Sequence, residues 1–292
     1  MKFRAISFVS LFISIVLIAV SGTAADLPEI RQRGVVRHLG IPYANFVSGS
    51  GDGMDVDLMK RFAAHIGVTY EYVMTDWGTV VPDLVGKKIK VTGTEVEFLG
   101  NVPVKGDLIA NGFTILPWRE KVVQFSKHTF PSQVWLIARA NSRIKPIKPS
   151  GDLDKDIRRT KALMKGVSVL TLEKTCLDPA LYKLNETGAS IVRSKGKLNE
   201  MAPALINKEA ELTILDVPDA LVALEKWPGK FKVIGPISEK QYMAVAFPKE
   251  SIQLCEAFNA FLDKSKEDGS YMKIVKKYYP SATRYFPEFF KK

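Results

Sequence analysis

Short apolar runs alternate with amphipathic stretches along most of this chain, and each run opens into a turn of small or polar residues. Val35-Val36-Arg37-His38-Leu39 reads as a strand, and the following Gly40-Ile41-Pro42-Tyr43-Ala44-Asn45-Phe46 as a loop carrying aromatics. From Met54 the period lengthens. Leu58, Phe62 and Ile66 fall on one helical face, Asp55 or Asp57 can cap or charge its start, and Gly67 ends it. The alternation continues with strands at 68–73, 108–110, 134–139, 166–170, 190–192, 212–216, 231–234 and 241–247. Helices are predicted at 80–85, within 154–164, and at 198–206, 217–226, 251–268 and 270–278. This order predicts an α/β chain with largely parallel sheets. Ligands of such sheets sit beyond the carboxyl ends of the strands. The loops to watch are therefore 40–46, 75–77, 111–119, 171–175 and the strand end at Asp216.

Residues 87–105 break the alternation. Folding Lys88-Ile89-Lys90-Val91 back on Thr94-Glu95-Val96-Glu97-Phe98 about Thr92-Gly93 sets Lys90 opposite Glu95, Ile89 opposite Val96 and Lys88 opposite Glu97. Opposite charges then share one face and apolar residues the other, as a hairpin needs. Thr92 suits the first place of a two-residue turn poorly, since that place wants positive φ, so a longer loop is also open.

The stretch from Gly106 to Ser126 holds the densest candidate chemistry. A short strand breaks into Asn111, Gly112 and Thr114, and Pro117 then starts a turn that carries Arg119. Gly112 permits close backbone approach to a bound molecule. Thr114 offers a hydroxyl and an amide, and Arg119 a planar fork that fits a carboxylate. Read alone, Arg119 is equally a surface ion-pair residue.

Composition narrows the class. The chain has 292 residues, 46% of them hydrophobic, enough for a sizeable core in one or two domains. Lys2 and Arg4 precede an apolar run, Ala5 to Val20, that ends in Thr23-Ala24-Ala25. That order predicts a secretory signal peptide over 1–25, cleaved after Ala25, because the run is short for a membrane span. Removing those two basic residues takes the net charge from +11 to +9. The excess is spread along the chain with no aromatic-basic motif, which argues against nucleic acid as a partner. His38, His65, His128, Cys176 and Cys255 show no metal spacing. No phosphate loop or nucleophile elbow occurs, and no cofactor is implied.

Several pieces occur in one order: Gly53 to Leu58, Thr75-Asp76-Trp77, Gly106 to Ile109, Gly112-Phe113-Thr114-Ile115, Arg119 with Phe125-Ser126, and Glu267 to Tyr271 running on to Tyr278. Each is weak, but the ordered set resembles family 3 of the extracellular solute-binding proteins, the polar amino-acid receptors of ABC importers. The resemblance covers nearly the whole mature chain. It implies a two-lobe, type II periplasmic-binding-protein-like α/β fold with a hinge of two crossing strands. Lobe 1 would hold 26–132 plus 238–292, and lobe 2 would hold 133–237. It implies a periplasmic monomer that captures an amino acid or related amino-carboxylate and passes it to an ABC permease in the inner membrane. Arg119, with Thr114 and the backbone at Gly112 beside Asn111, would hold the ligand carboxylate. Asp216 would hold the ammonium, and Tyr43 and Trp77 would sandwich the side chain. Without the resemblance, Asp216 reads as a helix N-cap before Val217-Pro218, and Tyr43, Trp77 and Phe46 as core. Cys176 and Cys255 would lie in different lobes as free thiols.

The sequence also departs from the family. Leu172-Glu173-Lys174-Thr175 replaces the usual Gly-Thr or Gly-Ser turn, so Thr175 or Lys174 would have to serve the carboxylate. Gly40 stands where some relatives carry an Asp, and the insert 87–105 is absent from typical members. These departures keep two alternatives open. One is a dehydratase of cyclohexadienyl type with Glu173 as cleft acid, against Glu173 as a solvated surface residue. The other is a free-standing ligand-sensing protein, similar to the lobe pairs attached to lytic transglycosylases or sensor kinases.

Overall fold

The computed structural model describes residues 25–49, 51–173 and 175–291. The signal-peptide expectation for 1–25 falls almost wholly outside this range, as does the expectation for Lys174. In chain order the strands are β1 (Val35–Gly40), β2 (Thr69–Met74), β3 (Lys87–Thr92), β4 (Glu95–Asn101), β5 (Leu108–Ile109), β6 (Val123–Phe125) and β7 (Phe130–Ser132). They continue as β8 (Val134–Arg139), β9 (Ser168–Thr171), β10 (Ser190–Arg193), β11 (Leu212–Asp216), β12 (Phe231–Pro236), β13 (Gln241–Met243) and β14 (Ala246–Pro248).

Two five-stranded sheets form two lobes, ordered β2-β1-β5-β14-β6 and β10-β9-β11-β8-β12. In each, four strands run in one direction and one runs against them, β14 in the first sheet and β8 in the second, where the chain enters the lobe from a crossing. The sheets are thus largely parallel, as the alternation predicts, and the single reversed strand in each is the one that follows a crossing segment. The crossings meet at β7 and β13, an antiparallel pair. The predicted single strand over 241–247 is split there. Gln241–Met243 belongs to the hinge and Ala246–Pro248 to the first sheet.

The amphipathic helix Met54–Ile66 buries Leu58, Phe62 and Ile66, and Gly67 closes it in the left-handed conformation. The polar lead before β1 is a further helix, Leu27–Arg33, which the sequence reading passed over. Its signal is a capping box, Asp26 with Glu29, ahead of Pro28. Asp107, fully buried at the start of β5, pairs with Arg33 and with Arg37 Nη2 at 2.9 Å. Gly106 is needed beside it, because a Cβ there would sit 2.3 Å from Leu39 Cγ.

The insert is a hairpin of β3 and β4, but in a different register from the sequence expectation. Lys90 lies opposite Glu97 and Ile89 opposite Phe98. The turn is Gly93-Thr94, since Gly93 supplies the positive φ (63°) that Thr92 resists. From Ile89 to Thr92 the shift of two keeps each residue on its expected face, and an irregularity between Lys88 and Ile89 sets Lys88 opposite Gly100. At the far end of the chain, Phe286 stacks on Trp135, Phe289 on Tyr242, and Phe290 meets Phe130 edge-on. The C-terminal aromatics therefore cover the hinge. No helix among the described residues is long and apolar enough to cross a membrane.

Candidate functional site

The end of β5 and the one-turn helix Pro117–Glu120 present Arg119 to the cleft. Arg119 is 3% exposed. Its Nη1 donates to the Thr114 carbonyl at 2.9 Å, and its guanidinium carbon lies 3.8 Å from the Phe113 ring centre. Its Nε has no partner among the described residues. Burial lowers the Arg119 pKa to about 10, which leaves it charged at neutral pH. A buried cation facing only a carbonyl and the rings of Phe113, Trp118 and Trp77 is costly unless an anion joins it. Asn111, at the start of the same turn, is fully buried with both amide atoms unpartnered among the described residues.

Asp216 faces this group from the second lobe. It stands at the N-cap of helix Val217–Lys226, yet its side chain makes no capping bond. Pro218 removes one of the amides a cap would use. The carboxylate goes elsewhere: Oδ2 accepts from Tyr43 Oη at 3.1 Å and from Cys176 Sγ at 2.9 Å, while Oδ1 is unpartnered among the described residues. Burial raises the Asp216 pKa to about 6, against the lowering effects of Cys176, Tyr43 and the Arg119 charge. Asp219, one turn along, is also buried, and burial with the Asp216 charge pushes it well above the usual carboxylate range. A cation from one lobe and an anion from the other, each with one unpartnered polar atom among the described residues, are thus desolvated together.

The structure corrects several expectations around this pair. Tyr43 and Trp77 do not make parallel plates. Their rings meet edge-to-face at 5.6 Å and 82°, too close to admit a side chain, and the Tyr43 hydroxyl instead bridges to Asp216. Trp77 stacks parallel to Phe113, at 6.4 Å. The Gly112 amide is not free, since it donates to Asp55 Oδ2 at 2.7 Å, and Gly112 is required by packing against Phe46. The Thr175 hydroxyl holds its own turn, donating to the Leu172 carbonyl at 2.8 Å and accepting from the Leu177 amide at 3.0 Å. Glu173 is half exposed and paired with Arg193, as a solvated surface residue is. The dehydratase alternative therefore loses its proposed acid.

Thr114 is buried and bridges to Met243 of β13, and Phe46 is core. Cys176 is the site residue the sequence reading missed. It stands next to Thr175, and only the fold shows its thiol reaching Asp216. Both cysteines are buried and free. No cluster of metal-ligating side chains occurs among the described residues.

The family model for bacterial extracellular solute-binding proteins, family 3, matches residues 103–281, which span the Arg119 turn, the hinge and Asp216. The chain belongs to this family. Among curated relatives of this solute-binding protein, the lysine/arginine/ornithine-binding periplasmic protein of Escherichia coli is 28% identical over 292 residues, covering 94% of this chain and 96% of the relative. Membrane-bound lytic murein transglycosylase F of Desulfosudis oleivorans is 24% identical over 260 residues. The match takes in 87% of this chain, which spans only 50% of that relative. Among solved structures, a mutant of the T. maritima protein ArgBP superposes with a TM-score of 0.67 at 25% identity, covering 87% of this chain and 99% of that one. An ancestral amino-acid-binding protein described as a precursor of cyclohexadienyl dehydratase shares the fold, with a TM-score of 0.65 at 23% identity over 87% of this chain and 98% of the other.

Proposed function

We propose that this solute-binding protein captures an amino acid or a related amino-carboxylate between its lobes in the periplasm and delivers it to an ABC permease. The observation that carries this reading is the opposition of Arg119 and Asp216, each buried with an unpartnered polar atom, and each supplied by a different lobe. A zwitterion matches them charge for charge. Arg119 takes the carboxylate, and Asp216 Oδ1 takes the ammonium. Because these contacts come from both lobes, the ligand is held fully only when the lobes are together, so binding stabilises the shut form. The amino-acid ligands in the names of the Escherichia coli relative and of ArgBP support the same class.

The test is a thermal-shift screen of the purified protein against amino acids, amines, dicarboxylates and prephenate. A ligand bound only by the folded state raises Tm by mass action, by several degrees at saturating excess. An amino acid is expected to give the shift, and Arg119→Met and Asp216→Asn each to abolish it while the far-UV spectrum is kept. A shift with prephenate alone, or no shift at all, overturns the reading.

A further inference from the structure

The hinge pair β7–β13 carries polar groups that the fold leaves unused. Ser132 and Gln241 lie directly opposite each other, and two residues along, Phe130 lies opposite Met243. Met243 also bridges to Thr114. The two-residue pleat places Ser132, Gln241, Phe130, Met243 and Thr114 on one face of this small sheet. That face borders the Arg119–Asp216 site, because Gln241 on it reaches Tyr182, which contacts Cys176 beside Asp216. Thr114 holds Arg119 through its carbonyl, and the Phe130 ring packs at 5.3 Å against Phe46, which stacks on Tyr43.

On this face Ser132 Oγ and Gln241 Oε1 are buried with no partner among the described residues. Such atoms are few in native proteins, and each costs free energy. Gln241 Nε2 is already used. It donates to Tyr182 Oη at 3.4 Å, Tyr182 donates to the Cys176 carbonyl, and the Cys176 thiol donates to Asp216. This chain of bonds fixes which end of the Gln241 amide remains, and it is the acceptor.

We propose that Ser132 and Gln241 are specificity-determining residues that read the end of the ligand side chain, and that they select one terminating in N–H donors: an amide, an ammonium or a guanidinium. The inference rests on the amino-acid-receptor reading above. Arg119 and Asp216 engage the main-chain groups common to all amino acids. This face then offers two acceptors, Gln241 Oε1 and Ser132 Oγ, the latter able to donate as well. A side-chain carboxylate would meet those acceptors unfavourably. An apolar side chain would leave them unpaired, and a site built to hydrogen-bond discriminates strongly against ligands lacking the group.

Isothermal titration of the purified protein with L-glutamine, L-lysine, L-arginine, L-norleucine and L-glutamate tests this. The wild type is expected to bind at least one of the first three at least tenfold more tightly than norleucine and glutamate. Gln241→Leu and Ser132→Ala are expected to erase that margin while retaining binding. Gln241→Glu, which is isosteric, is expected to move the preference toward lysine and arginine and away from glutamine. The glutamine, lysine and arginine arms separate an amide ligand from a cationic one. Binding of amino acids with the same ranking in wild type and Gln241→Leu overturns the subsite and leaves the receptor standing. No binding of any amino acid overturns both.

Discussion

The Tyr43 hydroxyl donates to Asp216 Oδ2 at 3.1 Å across 173 residues of sequence. The bond joins the loop after β1 to the end of β11, and both side chains are fully buried. It is a direct polar link between the lobes at the carboxylate proposed to receive the ligand ammonium. Tyr43→Phe keeps the ring packing and deletes the link. A hydrogen bond to a buried partner is worth roughly 0.5–1.5 kcal/mol net. Ligand Kd is therefore expected to rise about two- to tenfold, mainly through faster dissociation in stopped-flow traces. Unchanged dissociation means the bond does not hold the lobes together.

Arg119→Met is expected to raise Kd for an amino-carboxylate by an amount equivalent to about 2–5 kcal/mol, the usual effect of truncating one member of a buried charge pair. The unliganded protein is not expected to lose stability, because an isolated buried cation is itself unfavourable. Calorimetric titration together with the Tm of the ligand-free variant separates the two effects. A Tm collapse in Arg119→Met would mark the residue as structural.

Ligand affinity depends on pH through Asp216. Burial lifts its pKa from an ordinary 3.8 to about 6 in the folded protein. Ionising it costs the folded state, so its contribution to unliganded stability improves as pH falls through 6. Ammonium binding has the opposite sign, because it needs the carboxylate. Between pH 7.5 and pH 5, affinity for an amino acid is expected to fall roughly tenfold as the carboxyl protonates. Asp216→Asn should bind weakly with a flat profile, and a sloping profile in that variant would assign the titration to another group.

Gly112→Ala tests a packing constraint inside the binding turn. Gly112 has φ +63°, and a Cβ there would lie 2.3 Å from Phe46 Cδ2. A left-handed residue with a side chain costs roughly 1–2 kcal/mol, and overpacking adds about 1–3 kcal/mol. Denaturant unfolding should report a loss within the sum of those ranges. A near-neutral result would show that the Phe46 ring moves aside easily.

Removal of the β3–β4 hairpin is expected to leave amino-acid affinity unchanged. Its ion pairs, Lys90 with Glu97 at 3.7 Å and Glu95 with Lys121 at 2.8 Å, are largely exposed and contribute little. Ile89 and Val96 pack on the first-lobe cluster around Val80, Val81 and Leu84, so a modest drop in Tm should accompany the deletion. Weakened binding in titrations of the deletion variant would place the hairpin over the cleft.

While the hinge was implied only by the family resemblance that the order of weak motifs carries, periodicity and turn residues determined the α/β class, most element positions and the placement of Arg119 and Asp216 near strand ends. These are local properties, set by side-chain period and backbone preference within a few residues. Tertiary structure alone decided what each side chain does there. Asp216 could be read as a cap, but Pro218 and the approach of Tyr43 and Cys176 turn its carboxylate into the cleft. Glu173 could be read as a cleft acid, but Arg193 on the neighbouring strand holds it at the surface. Cys176, Ser132 and Gln241 carry no sequence signal, because their significance lies in partners brought together by the crossing of the chain between lobes. Hydrogen bonding and desolvation act over a few ångströms of space, and one sequence does not say which residues far apart along it will come within that distance.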